Sequence, residues 1–183
     1  MAKILGIESA SLTASVAIAE GDILLAEYTV NYKKTHSQTL LPMIDEIITM
    51  TETDKQSIDA IAVSGGPGSF TGLRIGSATA KGLGQALGKP LVAVPTLDAM
   101  AYHIFGSRSL VCPLMDARRN QVYTGIYRNE TEFLVIKKSC AIAMEELLEE
   151  LNAMGEPVIF LGDGVPVQAE RELKEKKGIS LPC

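Results

Sequence analysis

Apolar and polar positions change their spacing several times along this chain, and each change marks an element. Lys3–Glu8 is apolar until it meets an acid at its end, as a buried strand does. Ser9-Ala10-Ser11-Leu12-Thr13 is a small, hydroxyl-rich turn. Ala14–Ala19 and Ile23–Val30 read as two further strands, reversed at Gly21-Asp22. A polar stretch, Asn31–His36, follows. Ser37–Met50 then switches to helical spacing, with Ser37 at the N-cap position and Pro42 in the first turns, where a missing N–H costs little. Its apolar residues, Leu40 to Met50, cover about half the helix circumference, against the roughly 100° stripe of a helix lying on one core. Two explanations fit: one broad internal face, or a second contact surface outside the protein.

Ala60–Ser64 is the next strand, and it runs into the stretch on which the reading turns. Ser64 to Gly76 is glycine-dense and restarts as a helix at about Thr71. A strand, a glycine turn and a helix N-terminus are the parts of a phosphate loop, because bare backbone N–H groups and the helix dipole both favour an anion. It is not a Walker A motif, since no Lys-Ser or Lys-Thr follows the glycines. The helix carries Gly72, Gly76, Ala80, Gly84 and Gly88 at four-residue spacing. Each interior glycine costs about 1 kcal/mol relative to alanine, so the row should serve a close approach. The expectation is a mixture: part packs on the protein's own sheet, and the exposed part meets a partner protein.

Leu91–Val94 is a short strand, and Thr96 opens a helix through about Phe105. Gly106-Ser107-Arg108-Ser109 reads as a joint. From there the order repeats. Leu110–Met115 is a strand ending in Asp116, as the first ended in Glu8; Gln121–Tyr127, Phe133–Lys138 and Val158–Leu161 are strands; Met144–Met154 and Gln168–Lys177 are helices. The fold class expected is α/β, with duplicated β-β-β-α-β-α halves at 1–106 and 107–183 and mixed sheets flanked by helices. The second half reaches Cys183 before a strand and helix matching Leu91–Val94 and the Thr96 helix, so it is expected to be incomplete.

Charge and cysteine narrow the chemistry. The net charge of −5 gives no global basic field for gripping a nucleic acid. Cys112, Cys140 and Cys183 form no C-x-x-C pair, which fits a reducing compartment and argues against a zinc site. The two histidines, His36 and His103, sit far apart in the chain, so a histidine-based hydrolase is not expected. Arg74 lies in the first turn of the glycine helix, where the dipole disfavours a cation. A partner carboxylate would account for it, and so would plain solvent exposure.

The block Gly65-Gly66-Pro67-Gly68-Ser69-Phe70-Thr71-Gly72-Leu73-Arg74-Ile75-Gly76 resembles the signature of the TsaB (YeaZ) family. Ile4–Ala10, Thr35–Met43 and Asp116–Tyr123 resemble further segments of that family, in collinear order. The resemblance implies an actin-like fold of two ribonuclease-H-like halves and a cytoplasmic role in forming threonylcarbamoyladenosine in tRNA. It implies a non-catalytic scaffold that pairs with the catalytic relative TsaD, with TsaE in a larger complex, or that forms a homodimer when alone. tRNA would be met only indirectly, and no membrane is involved. The interface residues it implies are His36, Leu40, Met43, Ile44, Ile47, Gly72, Arg74, Ile75, Gly76 and Ala80. Gly76→Glu or Ile44→Arg is then expected to abolish association without unfolding the monomer.

No cofactor is expected beyond weak ATP or ADP binding, for which Glu8, Ser9, Gly65, Gly66 and Asp116 are the candidate contacts. The family usually has Asp where this chain has Glu8. Catalytic TsaD-like proteins hold a metal with two histidines four apart on a helix; the matching positions here are Thr96 and Met100, so no metal site is expected. The alternative class is an actin-like ATPase or small-molecule kinase. A peptidase finds no nucleophile–base pair.

Overall fold

The computed structural model describes residues 1–32 and 35–168. Contacts divide the chain into two units, Met1–Thr96 and Leu97–Cys183.

The first unit contains β1 (Lys3–Glu8), β2 (Ala14–Glu20), β3 (Ile23–Val30), α1 (His36–Met50), β4 (Ala60–Ser64), α2 (Phe70–Leu87) and β5 (Leu91–Val94). They form a five-stranded sheet in the order β3-β2-β1-β4-β5. The two tight turns give antiparallel pairs, and the helical crossovers give the parallel pairs β1–β4 and β4–β5, as connection length requires. Leu5 and Ile7 of β1, Val16 and Ile18 of β2, and Ile61 and Val63 of β4 are buried in one core.

From α1 that core receives Leu40, Met43, Ile44, Ile47 and Ile48. The wide apolar arc of α1 is therefore one broad internal face. This corrects the interface expectation for Leu40, Met43, Ile44 and Ile47, which pack within their own unit. What α1 leaves outside is Leu41 and Met50. The helix starts at His36, and Thr35 at the N-cap position makes no side-chain cap.

The second unit contains β6 (Ser107–Asp116), β7 (Gln121–Asn129), β8 (Phe133–Ala143), α4 (Met144–Met154) and β9 (Val158–Leu161). The strand order β8-β7-β6-β9 repeats the first four positions of the first sheet, with the same antiparallel hairpins and parallel crossover. The duplicated α/β layout expected from the order of elements is thus present. The charged helix expected at 168–177 lies, apart from Gln168, outside the described residues.

The helix α3 (Thr96–Tyr102) goes mostly with this second unit, so the joint moves upstream of the expected 106/107 boundary. Side chains explain the difference. The Tyr127 hydroxyl donates to Asp98 Oδ1 at 2.8 Å, and Asn129 Nδ2 donates to the Tyr102 carbonyl at 2.8 Å. Phe133 stacks on Tyr127 with ring centroids 5.5 Å apart.

Two buried acids of this unit make its stability fall on the alkaline side. Burial pushes the Cys112 thiol from 9.0 up to about 11, partly offset by its contact with the Thr124 hydroxyl. Burial, then the Asp98 contact, also raises Tyr127. Both folded values lie above the unfolded ones, so this stability is complete below about pH 9 and is lost as pH rises through the folded values. For Cys112 the two-unit gap corresponds to up to about 3 kcal/mol. Thermal melts at about pH 8 and about pH 11 should show the parent losing stability, and Cys112→Ala losing distinctly less. Equal losses would refute the assignment.

Candidate functional site

The glycine stretch has a specific backbone. Gly66 (φ 97°) and Gly68 (φ 158°) flank Pro67, and the Gly66-Pro67 peptide is cis. Ser69 Oγ accepts from the Gly72 N–H at 3.2 Å and so caps α2. Three further donors of the loop are also in use. The Gly65 N–H donates to the Val94 carbonyl at 2.7 Å, the Gly66 N–H to Thr96 Oγ1 at 3.2 Å, and the Ser69 N–H to the Ala10 carbonyl at 2.6 Å. A phosphate cradle needs such N–H groups free to point at a ligand. Here they bind β5, the start of α3 and the first hairpin. This corrects the expectation for Gly65 and Gly66, whose amides are spent within the protein.

Ser9 is corrected with them. It is 0% exposed. Its N–H donates to Ser64 Oγ at 3.3 Å and its hydroxyl donates to the Gly72 carbonyl at 3.0 Å. Ser9 ties the first hairpin to β4 and α2. Glu8 turns its carboxylate back on the same turn, where Oε1 accepts from the Ala10 N–H at 2.5 Å. Asp116 does the same in the second unit, accepting from the Arg118 N–H at 3.0 Å. Each acid at the end of a first strand thus fastens its own hairpin, two residues on. The Asp116 hairpin holds Arg118, Arg119 and Asn120 at positive φ. Beside it Asp163 is raised above the ordinary carboxyl range, first by desolvation and further by the charge of Asp116.

The small-residue row also faces inward. Gly72, Gly76, Ala80 and Gly84 are the buried positions of α2, and Gly88 ends the helix at φ 68°. A Cβ on Gly72 would meet the Ser9 carbonyl at 2.0 Å, and one on Gly76 would meet Ser9 Oγ at 2.1 Å. The row lets the protein's own hairpin approach. That corrects the outward reading of Gly72, Gly76 and Ala80, and with it the idea that Gly76→Glu would leave the monomer folded.

Three expected interface residues do reach the surface: His36, Arg74 and Ile75. His36 Nε2 lies 2.9 Å from the Ser11 carbonyl, and His36 and Ile75 line a cavity of about 570 Å³ between the starts of α1 and α2. Arg74 lies over the Phe70 ring at 3.8 Å, an intrahelical contact that partly accounts for a cation in this first turn. The sequence reading missed the most exposed apolar groups here. Leu12 is 82% exposed and Tyr32 is 69% exposed, and both line the same cavity. Leu12 carried a signal, since it is the one large apolar residue in a turn otherwise built of small and hydroxyl side chains. Among the described residues, no group of three or more metal-ligating side chains comes together, and no helix is long and apolar enough to cross a membrane.

Comparisons with known proteins agree with this architecture. The family model for TsaD, tRNA N6-adenosine threonylcarbamoyltransferase, matches residues 24–175. The tRNA threonylcarbamoyladenosine biosynthesis protein TsaB of Bacillus subtilis is 35% identical over 160 residues, covering 87% of this chain and 70% of that one. TsaB of Escherichia coli is 31% identical over 183 residues, covering 98% and 78%. The solved YeaZ of Pseudomonas aeruginosa superposes with a TM-score of 0.70 at 30% identity, over 79% of this chain and 68% of that one. The chain belongs to the family that the TsaD model describes and, within it, to the TsaB (YeaZ) group of tRNA threonylcarbamoyladenosine biosynthesis proteins.

Proposed function

We propose that this chain is a non-catalytic scaffold subunit in threonylcarbamoyl transfer to adenosine in tRNA. It acts in the cytoplasm by pairing with TsaD, and TsaE joins the larger complex. The observation that carries this reading is the contrast within the first unit. The Gly65, Gly66 and Ser69 amides of the glycine loop are spent on the protein itself, while Leu12 and Tyr32 stand exposed around a cavity at the start of α1 and α2. Large apolar side chains clustered in the open favour a protein partner over a small polar ligand. The surface that meets TsaD is this one, with His36 and Ile75, and not the inward row of α2. The kinase alternative gains nothing from Gly65 and Gly66, whose amides are taken.

The test is a pull-down of TsaD by a Leu12→Asp/Tyr32→Asp chain. Both residues are exposed, so the melting temperature should stay within a few degrees of the parent. Association should weaken by at least about tenfold. Full retention of TsaD by a folded double variant would sink the assignment.

A further inference from the structure

Another side of α2 faces β5, and there the sheet ends. Among the described residues β5 is an edge strand, paired with β4 alone. The carbonyls of Pro90 and Val94 accept from the Ile61 and Gly65 N–H groups of the β4 side. By strand alternation, the N–H and C=O groups of Leu91 and Ala93 point away from the sheet. Between this edge and α2 runs an open groove of about 590 Å³. Val63, Leu73 and Ala93 form its apolar floor, and Arg74 and Lys81 stand on its helical rim. Among the described residues neither cation forms a salt bridge with a carboxylate. On the opposite face of the strand Val92 is also exposed.

We propose that this edge takes an extended acidic segment of a partner protein as a sixth strand. The open N–H and C=O groups of Leu91 and Ala93 supply the backbone pairing. The rim supplies the charge preference. Arg74 and Lys81 are seven residues apart on a helix, about 10.5 Å. Residues of a strand return to the same face about every 6.7 Å. Two acids four residues apart, with an apolar residue midway between them over Ala93, therefore span the rim with the reach of two flexible cations. The residues between them lie over Val92 and are apolar. This site shares neither Leu12 nor Tyr32 with the cavity assigned to TsaD, so the two readings stand or fall separately.

The probe is the acetylated, amidated peptide Thr-Glu-Val-Val-Val-Glu-Thr carrying a fluorophore, titrated with the full chain at low salt and read by anisotropy. Saturable binding is expected, and Lys81→Glu should weaken it by about tenfold or more. A peptide with lysine in place of both glutamates should not bind. Of two peptides N-methylated on alternate residues, one should bind and the other should not, because only one set of N–H groups faces β5. Absence of binding by the parent peptide overturns the proposal. So does binding that ignores Lys81→Glu, or equal binding of both methylated peptides, which would mark simple charge adsorption. If the chain runs as a dimer in gel filtration and the peptide dissociates it, the edge belongs to a second copy and the proposal also fails.

Discussion

Replacing Gly72 by alanine, or Gly76 by glutamate, is expected to destabilise the first unit strongly. A Cβ on Gly72 would sit 2.0 Å from the Ser9 carbonyl oxygen, which is backbone and has no rotamer to change. Ser9 cannot retreat easily, because it is fully buried and bonded to both Ser64 and Gly72. On Gly76 the Cβ would sit 2.1 Å from Ser9 Oγ, and a glutamate would add a charge in the same space. Overpacking against fixed backbone should cost roughly 3 kcal/mol or more. That corresponds to a fall in melting temperature on the order of 10 °C. Gly82 supplies the contrast within the same helix. Nothing lies within 4 Å of a Cβ built there, so Gly82→Ala should stabilise by up to about 1 kcal/mol. Circular dichroism melts of Gly72→Ala and Gly82→Ala should therefore move in opposite directions. A Gly72→Ala chain that melts with the parent would show that the hairpin is not held where the structure puts it.

The strands were legible because their chemistry is local. Lys3–Glu8, Ile23–Val30, Ala60–Ser64, Leu91–Val94 and Val158–Leu161 appear with the bounds their apolar runs predict. Apolar spacing fixes a period, and a period fixes an element. What spacing cannot fix is which surface lies opposite. The glycines from Gly65 to Gly76 announce correctly that something comes very close to the backbone. Whether that something is a phosphate, a partner helix or Ser9 of the same chain is a long-range fact, settled by hydrogen bonds across more than fifty residues. The joint failed for a related reason. Gly106-Ser107 looks like a linker in one dimension, but the boundary follows Asp98 and Tyr102, whose partners lie near residue 128. The paired acids Glu8 and Asp116 were found by position, but their bonds to the Ala10 and Arg118 N–H groups could not be, because a carboxylate at a strand end can serve a ligand or its own turn equally well.

The same ambiguity decides the fate of Ile44→Arg. On spacing alone Ile44 belongs to an arc too wide for one core, which invites a partner. In the structure it is 3% exposed and packs in the cluster with Leu5, Val16, Ile61 and Val63. An arginine there would bury an unpaired guanidinium in an apolar interior. The expected cost is about 4 kcal/mol or more, enough to abolish cooperative melting of a marginally stable unit. Leu41→Asp, three residues earlier on the same helix, changes a side chain that is 55% exposed and should shift stability by no more than about 0.5 kcal/mol. Loss of association in Ile44→Arg would then report unfolding, and it must be read beside the melt. Should Ile44→Arg keep the parent melting temperature and still lose its partner, the broad face of α1 would be the interface after all. In that case α1 would have to pack against another protein instead of its own sheet, and the core described for the first unit would be wrong.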